Sequence, residues 1–221
     1  GGAFGSCVDI STDGTAIVAG AYYWDIPSGA YDAGCLRAYD YTNGDWVQRG
    51  NDADMVGDNG SDWLGIDCAM SANGNIVAGA MYVASGAPGG VKVYDYTSGS
   101  WDQLGSTVPV DEGDCLIVSL SHDGTIVAYG SGYGGTSSTG VVYTAKYTNG
   151  QWNRTAKIPG AQASIYMDKC HLNAAGNVLA IGSYLDEISG TDNGVTRLYS
   201  WNELNQSTPA SPGEAFMGGW D

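Results

Sequence analysis

The chain has 221 residues, with 8 basic and 24 acidic side chains and a net charge of −16. A protein this acidic repels phosphate backbones, so nucleic acid is excluded as an expected partner. No apolar run reaches the roughly 20 residues that span a bilayer, and no basic segment followed by an apolar stretch opens the chain, so we expect any signal peptide to have been removed.

The composition favours strands and turns over helices. Glycine accounts for 35 residues, and nearly all the acidic residues are Asp rather than Glu. Gly and Asp are typical of tight turns, whereas Glu favours helices. The 15 Tyr and 7 Trp are too many for a disordered chain. We therefore predict an all-β protein with very little α-helix.

The first predicted hairpin, at 4–21, sets a template that returns at 64–80, 115–131 and 167–183. Each copy has two short apolar strands around a turn glycine, and these turn glycines are Gly14, Gly74, Gly124 and Gly176. The residue before most of these glycines is Asp or Asn, and such pairs tolerate the positive φ that tight hairpins need. A repeat of about 50 residues is typical of stacked architectures.

Each copy then continues in the same way. A third strand follows Gly34, Gly90, Gly140 and Gly194, and a fourth strand begins near Trp46, Trp101 and Trp152, while the last copy has Gln206 at this place. Four antiparallel strands per repeat predict a β-propeller blade. We expect one propeller domain with blades at about 1–60, 61–112, 113–164 and 165–221. It is either a closed four-bladed ring, which we favour, or the visible part of a longer propeller.

This pattern resembles the FG-GAP repeat of secreted and cell-surface propellers, the family that includes the integrin α-subunit head. The resemblance is carried by Phe4-Gly5 and Leu64-Gly65, and by Gly20-Ala21 and Gly79-Ala80. It covers nearly the whole chain. It implies a binding or scaffolding module outside the cytoplasm, in the extracellular space or the lumen of a secretory organelle.

Blades of that family often bind calcium in an acidic loop, because closely spaced oxygens suit a hard cation. Only the first copy comes near the pattern, with Asp9, Ser11 and Asp13 before Gly14. The alternative is a plain hairpin turn in which Asp13 sets the backbone geometry. No cofactor is expected, and calcium at these three residues is the one candidate.

Four of the five cysteines, Cys7, Cys68, Cys115 and Cys170, belong to the first strand of a copy, whereas Cys35 begins a third strand. First strands are the innermost strands of a propeller, so these thiols should surround the axis. We expect them to be small buried apolar residues. The alternative is a disulfide between neighbouring blades.

Three glycosylation sequons begin at Asn59, Asn153 and Asn205. Variable loops on a rigid scaffold are where partners bind. Aromatic residues of those loops are therefore the contact candidates: Tyr22, Tyr23, Trp24, Tyr31, Trp63 and Tyr82.

The two histidines, His122 and His171, belong to no recognisable nucleophile motif. We therefore expect no enzyme. The favoured function is a non-catalytic, extracellular or lumenal interaction module that binds protein partners in a larger assembly. A lectin-like propeller that binds glycans is the alternative, and a propeller hydrolase using loop Asp residues comes last.

Overall fold

The computed structural model describes residues 2–27, 29–51, 55–83, 88–97, 99–111, 113–132, 140–160, 167–183, 194–200 and 213–216. The first sheet contains β1 (Val8–Ile10), β2 (Ala16–Ala21), β3 (Cys35–Thr42) and β4 (Asp45–Arg49). The second contains β5 (Asp67–Met70), β6 (Ile76–Met81), β7 (Gly90–Thr97), β8 (Ser100–Gln103) and β9 (Val108–Pro109). The third contains β10 (Ile117–Leu120), β11 (Ile126–Ser131), β12 (Val141–Thr148) and β13 (Gln151–Pro159). The fourth contains β14 (Met167–Leu172), β15 (Val178–Ser183), β16 (Val195–Ser200) and β17 (Gly213–Phe216).

The strands of each sheet are antiparallel and lie in chain order, with β9 added beside β7. The predicted all-β fold of four antiparallel sheets is therefore confirmed. No α-helix occurs among the described residues, and none of them could form a helix that crosses a membrane.

A side chain closes each first hairpin. The Ser11 hydroxyl accepts a hydrogen bond from the Ala16 N–H and donates one to Asp13. Ser71 with Asn73 and Ser121 with Asp123 repeat the same bonds. All four turn glycines have φ between 68° and 73°, a backbone conformation that glycine adopts without steric cost. The repeated Ser-x-Asp/Asn-Gly pattern therefore encodes the turn in the first three copies, and in the fourth Asn173 accepts a hydrogen bond from the Val178 N–H.

The four sheets pack in series through their inner strands: β1 contacts β5, β5 contacts β10, and β10 contacts β14. Backbone hydrogen bonds join neighbouring turns, from Thr12 N–H to Ala72, from Ala72 N–H to His122, and from His122 N–H to Ala174. In the described part of the chain no such bond returns from Ala174 to Thr12, so this series of bonds is open.

The apolar core consists of three clusters, each lying between two successive sheets. The first joins Val18 and Leu36 to Val77 and Trp101, for example. The second and third sheets therefore bury one face on the preceding sheet and the other on the following sheet, as expected for a repeat that cannot bury both faces alone.

One disulfide, between Cys7 and Cys68, joins the first two sheets. The remaining cysteines are buried and form no disulfide: Cys35, Cys115 and Cys170. The expectation of small buried residues in the first strands thus holds for Cys115 and Cys170. The alternative, a disulfide between neighbouring repeats, describes Cys7 and Cys68.

Candidate functional site

The inner strands surround a cavity of about 390 Å³, a size typical of small-molecule sites. All four first strands contribute to it, and so do the turns of the first three. Its ionisable lining residues, apart from the cysteines, are Asp9, Asp67, His122, Lys169 and His171.

These residues converge because the repeat places equivalent positions side by side. Asp9 and His171 stand five residues before their turn glycines, and Asp67 and Lys169 stand seven before theirs. Alternate residues of a strand point to the same face, so Lys169 and His171 share one face of β14. The cavity thus collects polar side chains at two levels of the inner strands.

Both carboxylates also hold adjacent sheets together. Asp9 accepts a hydrogen bond from the Met70 N–H at 2.7 Å, and Asp67 accepts one from the Val118 N–H at 3.0 Å. Ser119 does the same for the Leu172 N–H at 3.0 Å. These bonds fix the spacing of the inner strands, so the cavity has a rigid wall.

Burial raises the pKa of Asp67, while the Val118 N–H and the nearby Lys169 ammonium act in the opposite direction. Lys169 and His171 are exposed at the cavity wall. The site therefore combines an ammonium group, two imidazoles and two carboxylates around one cavity.

The thiol in the wall is unreactive. Burial raises the pKa of Cys170 well above its usual range, and burial raises that of Cys115 to about 12. Since the thiolate is the nucleophile, these buried thiols remain protonated and unreactive at neutral pH. A covalent thiol mechanism is therefore disfavoured. The groups of this site that can take part in a reaction are the imidazoles, the ammonium group and the carboxylates.

The calcium candidates have other hydrogen-bond partners in the structure. Asp9 bonds the N–H groups of Ile10 and Met70, whereas Asp13 bonds Ser11 and Thr15 within its turn. These turn bonds lower the pKa of Asp13 to about 2. No group of three or more His, Cys, Asp or Glu that could hold a metal occurs in the described ranges. Calcium at Asp9, Ser11 and Asp13 stays a prediction.

Four of the six contact candidates form one aromatic cluster. Trp63 stacks on Tyr82 at 4.6 Å between ring centroids and meets Tyr23 edge-on at 5.4 Å, and Tyr22 lies 4.2 Å from Tyr23. Trp24 instead packs under the Arg37 guanidinium at 4.4 Å. Tyr31 is 75% exposed. None of the six lines the cavity.

Two of the three sequons can be placed. Asn59 and Asn153 are both exposed, the first in a turn and the second in β13. Asn205 lies outside the described residues. Glycosylation stays a prediction at all three.

Three residues of the cavity wall were not expected from the sequence to be functional groups: His122, Lys169 and His171. A signal exists in the repeat for Lys169, which places a charged group where the third copy has the apolar Ile117. That contrast indicates a local role only when the first strands are known to meet around one space.

No family model matches the chain, and no curated protein matches it. Solved structures do share its fold. Among them is the crystal structure of a "putative 6-phosphogluconolactonase" from Bacteroides uniformis, with a TM-score of 0.62 and 16% identity. The alignment covers 96% of this chain and 54% of the other, so the chain spans about half the length of that structure. At this identity the likeness shows the fold alone.

Two expectations are corrected by this comparison. We expected a non-catalytic interaction module and no enzyme, but a protein that shares the fold is described as an enzyme. The reason for the error is that a missing nucleophile motif excludes only the reactions that need that motif. The FG-GAP resemblance is not confirmed, since no family model matches. What is shown is an all-β fold of four antiparallel sheets.

Proposed function

We propose that the chain forms four successive blades of a β-propeller domain whose axial cavity hydrolyses a lactone of a small sugar acid. The observation that carries this proposal is the cavity itself, where Lys169 and His171 face a space of about 390 Å³ together with Asp9 and Asp67. The serial packing of the sheets through their inner strands supports the blade arrangement. The fold shared with a lactonase-like protein supports the reaction class.

His171 and Lys169 have separate roles in the proposed reaction. His171 takes a proton from a water molecule as its oxygen attacks the lactone carbonyl carbon. Imidazole is the side chain that most often acts as a general base. Lys169 stabilises the negative charge that develops on the carbonyl oxygen. The ring C–O bond then breaks, the proton passes to the ring oxygen, and the product is an open hydroxy acid.

Charge selects the substrate. The cavity wall carries two carboxylates, Asp9 and Asp67, against one lysine, and the whole chain has a net charge of −16. The carboxylates of the cavity wall and the net negative charge of the chain would both repel a phosphate dianion. We therefore propose an uncharged lactone, such as gluconolactone, rather than a phosphorylated one.

The disulfide supports a location outside the reducing cytoplasm. Structural disulfides persist in oxidising compartments, and Cys7–Cys68 is buried between two sheets. We propose the extracellular space or a secretory lumen.

The test is lactone hydrolysis by the purified chain, followed by the release of acid. We expect His171→Gln to lower kcat/KM at least about 100-fold, the lower end of what a general base contributes. Lys169→Met should lower kcat more than it raises KM, because its charge acts on the transition state.

The matched control is Lys146→Met, which removes a half-buried lysine of β12 that does not line the cavity. It should hydrolyse the lactone as the wild type does. A wild-type rate no faster than that of buffer, with circular dichroism showing a folded chain, would refute the proposal.

A further inference from the structure

Within the part of the chain that the structure describes, the first and fourth sheets each leave one face uncovered, and these two faces correspond to the two sides of the contact that joins successive sheets. We propose that the uncovered face of the first sheet binds the uncovered face of the fourth sheet in a second copy of the chain, so that two copies close head to tail. The leading face is defined by Val8, Ile10, Tyr41 and Trp46. The trailing face is defined by Val178, Ala180, Thr196 and Leu198. This inference is argued from the packing of the sheets and not from the lactonase chemistry, although the trailing face also carries His171, the cross-strand partner of Ala180.

The leading face is apolar and exposed only in the first sheet. Val8 is 71% exposed and Ile10 is 55% exposed, while their equivalents in the other three sheets are buried against the preceding sheet. Those equivalents are Cys68, Met70, Val118, Leu120, Cys170 and Leu172. The side chains at these positions therefore form a packing surface, and the first sheet displays that surface uncovered.

Trp46 gives the most specific sign of what is missing. Its equivalents Trp101 and Trp152 donate hydrogen bonds to backbone carbonyls of the preceding sheet, at Arg49 and Leu104. Each of the three Trp rings lies 5.1 to 5.3 Å from the Tyr ring beside it. Trp46 thus has the same arrangement with its Tyr as Trp101 and Trp152 have with theirs, and yet it is 45% exposed.

The turn glycines repeat this contrast. Side chains of the preceding sheet cover three of them: Ala16 covers Gly74, Ile76 covers Gly124 and Ile126 covers Gly176. Around Gly14 no heavy atom lies within 4 Å of the place where a Cβ would stand, among the described residues. Val178 occupies the position in the fourth sheet that Ala16, Ile76 and Ile126 occupy in theirs. It is the residue that would cover Gly14 of a second copy.

The trailing face supplies the rest of the complement. Thr196 and Leu198 are exposed in β16, whereas the equivalent Leu36, Ala38, Val91 and Val93 are buried beneath the following sheet. The series of backbone hydrogen bonds between neighbouring turns also ends on this side. The His122 N–H donates to the Ala174 carbonyl, and in the same way the Ala174 N–H can donate to the Thr12 carbonyl of another copy.

A second copy is the occupant because each chain carries both halves of an interface that it already makes three times. A head-to-tail contact gives a closed ring if the rotation closes, and a filament if it does not. Two copies would make a ring of eight sheets, within the range of known propellers. Closure would also place β1 of one copy beside His171 of the other, which completes the open side of the cavity.

The test is the mass of the chain in solution, measured by sedimentation equilibrium from micromolar to millimolar concentration. We expect the wild type to pass from 22.9 kDa to twice that mass. Ile10→Glu should weaken this association at least tenfold, because it puts a charge at the centre of the leading face. Ile10 is exposed in the single chain, so this variant should still fold.

The control is Val47→Glu, in the strand that carries Trp46 but on its other face. Val47 is 53% exposed, and its equivalents Asp102 and Asn153 are polar, so this variant should associate as the wild type does. A wild type that stays at 22.9 kDa would overturn the proposal and would leave the face to a further repeat on a longer polypeptide. Filaments instead of dimers, or normal association of Ile10→Glu, would also overturn it.

Discussion

Identical residues at one repeat position have different surroundings in this chain, and those surroundings decide what each residue does. Trp101 and Trp46 occupy the same place beside a Tyr on the neighbouring strand. Trp101 is 3% exposed and bonds the Arg49 carbonyl of the first sheet, whereas Trp46 is 45% exposed. The sequence predicts the equivalence of these residues, but only the structure shows which of them is covered.

This difference gives a matched pair of substitutions. Trp101→Ala should lower the free energy of unfolding by about 3–5 kcal/mol, as is usual for a buried Trp. Trp46→Ala should cost far less in a dilute, monomeric sample, because its ring is already half in water. Urea unfolding of both variants measures the two costs. Equal losses would show that sheet-to-sheet burial is not what stabilises this position.

Among the elements, the short first strands could be predicted best from the sequence, whereas the role of their polar residues could be predicted least. Their hairpins follow from local chemistry, since Ser11, Asp13 and Gly14 close the turn without help from the rest of the chain. Their polar residues looked unremarkable in sequence, because the partners are distant. Asp9 bonds a residue 61 positions away and Asp67 one 51 positions away. No local pattern reports such contacts.

The disulfide between the first two inner strands gives a prediction about these elements. Cys7→Ser should lower the free energy of unfolding by about 2–4 kcal/mol, because the bond restricts the unfolded chain. A reductant should lower the melting temperature of the wild type and leave that of Cys7→Ser unchanged.

Thiol counting in denaturant provides the check. The unreduced chain should show three reactive thiols, from Cys35, Cys115 and Cys170. Five reactive thiols would contradict the bond.

For the whole molecule, the repeat alone predicted four antiparallel sheets, because glycine turns and strand alternation are local. It did not predict the cavity. A cavity depends on how far apart the inner strands stand, and that distance is fixed by bonds between sheets such as Asp67 to Val118. The absence of a nucleophile motif then led to a non-catalytic interpretation, which the comparison with solved structures contradicts.

The most direct test of the proposed site is a crystal structure with the product of the reaction bound. Crystals soaked in gluconate should show the acid between the inner strands, with its carboxylate at Lys169 and its chain facing His171. Gluconate bound instead at the aromatic cluster of Tyr22, Tyr23, Trp63 and Tyr82, with an empty cavity, would contradict the account.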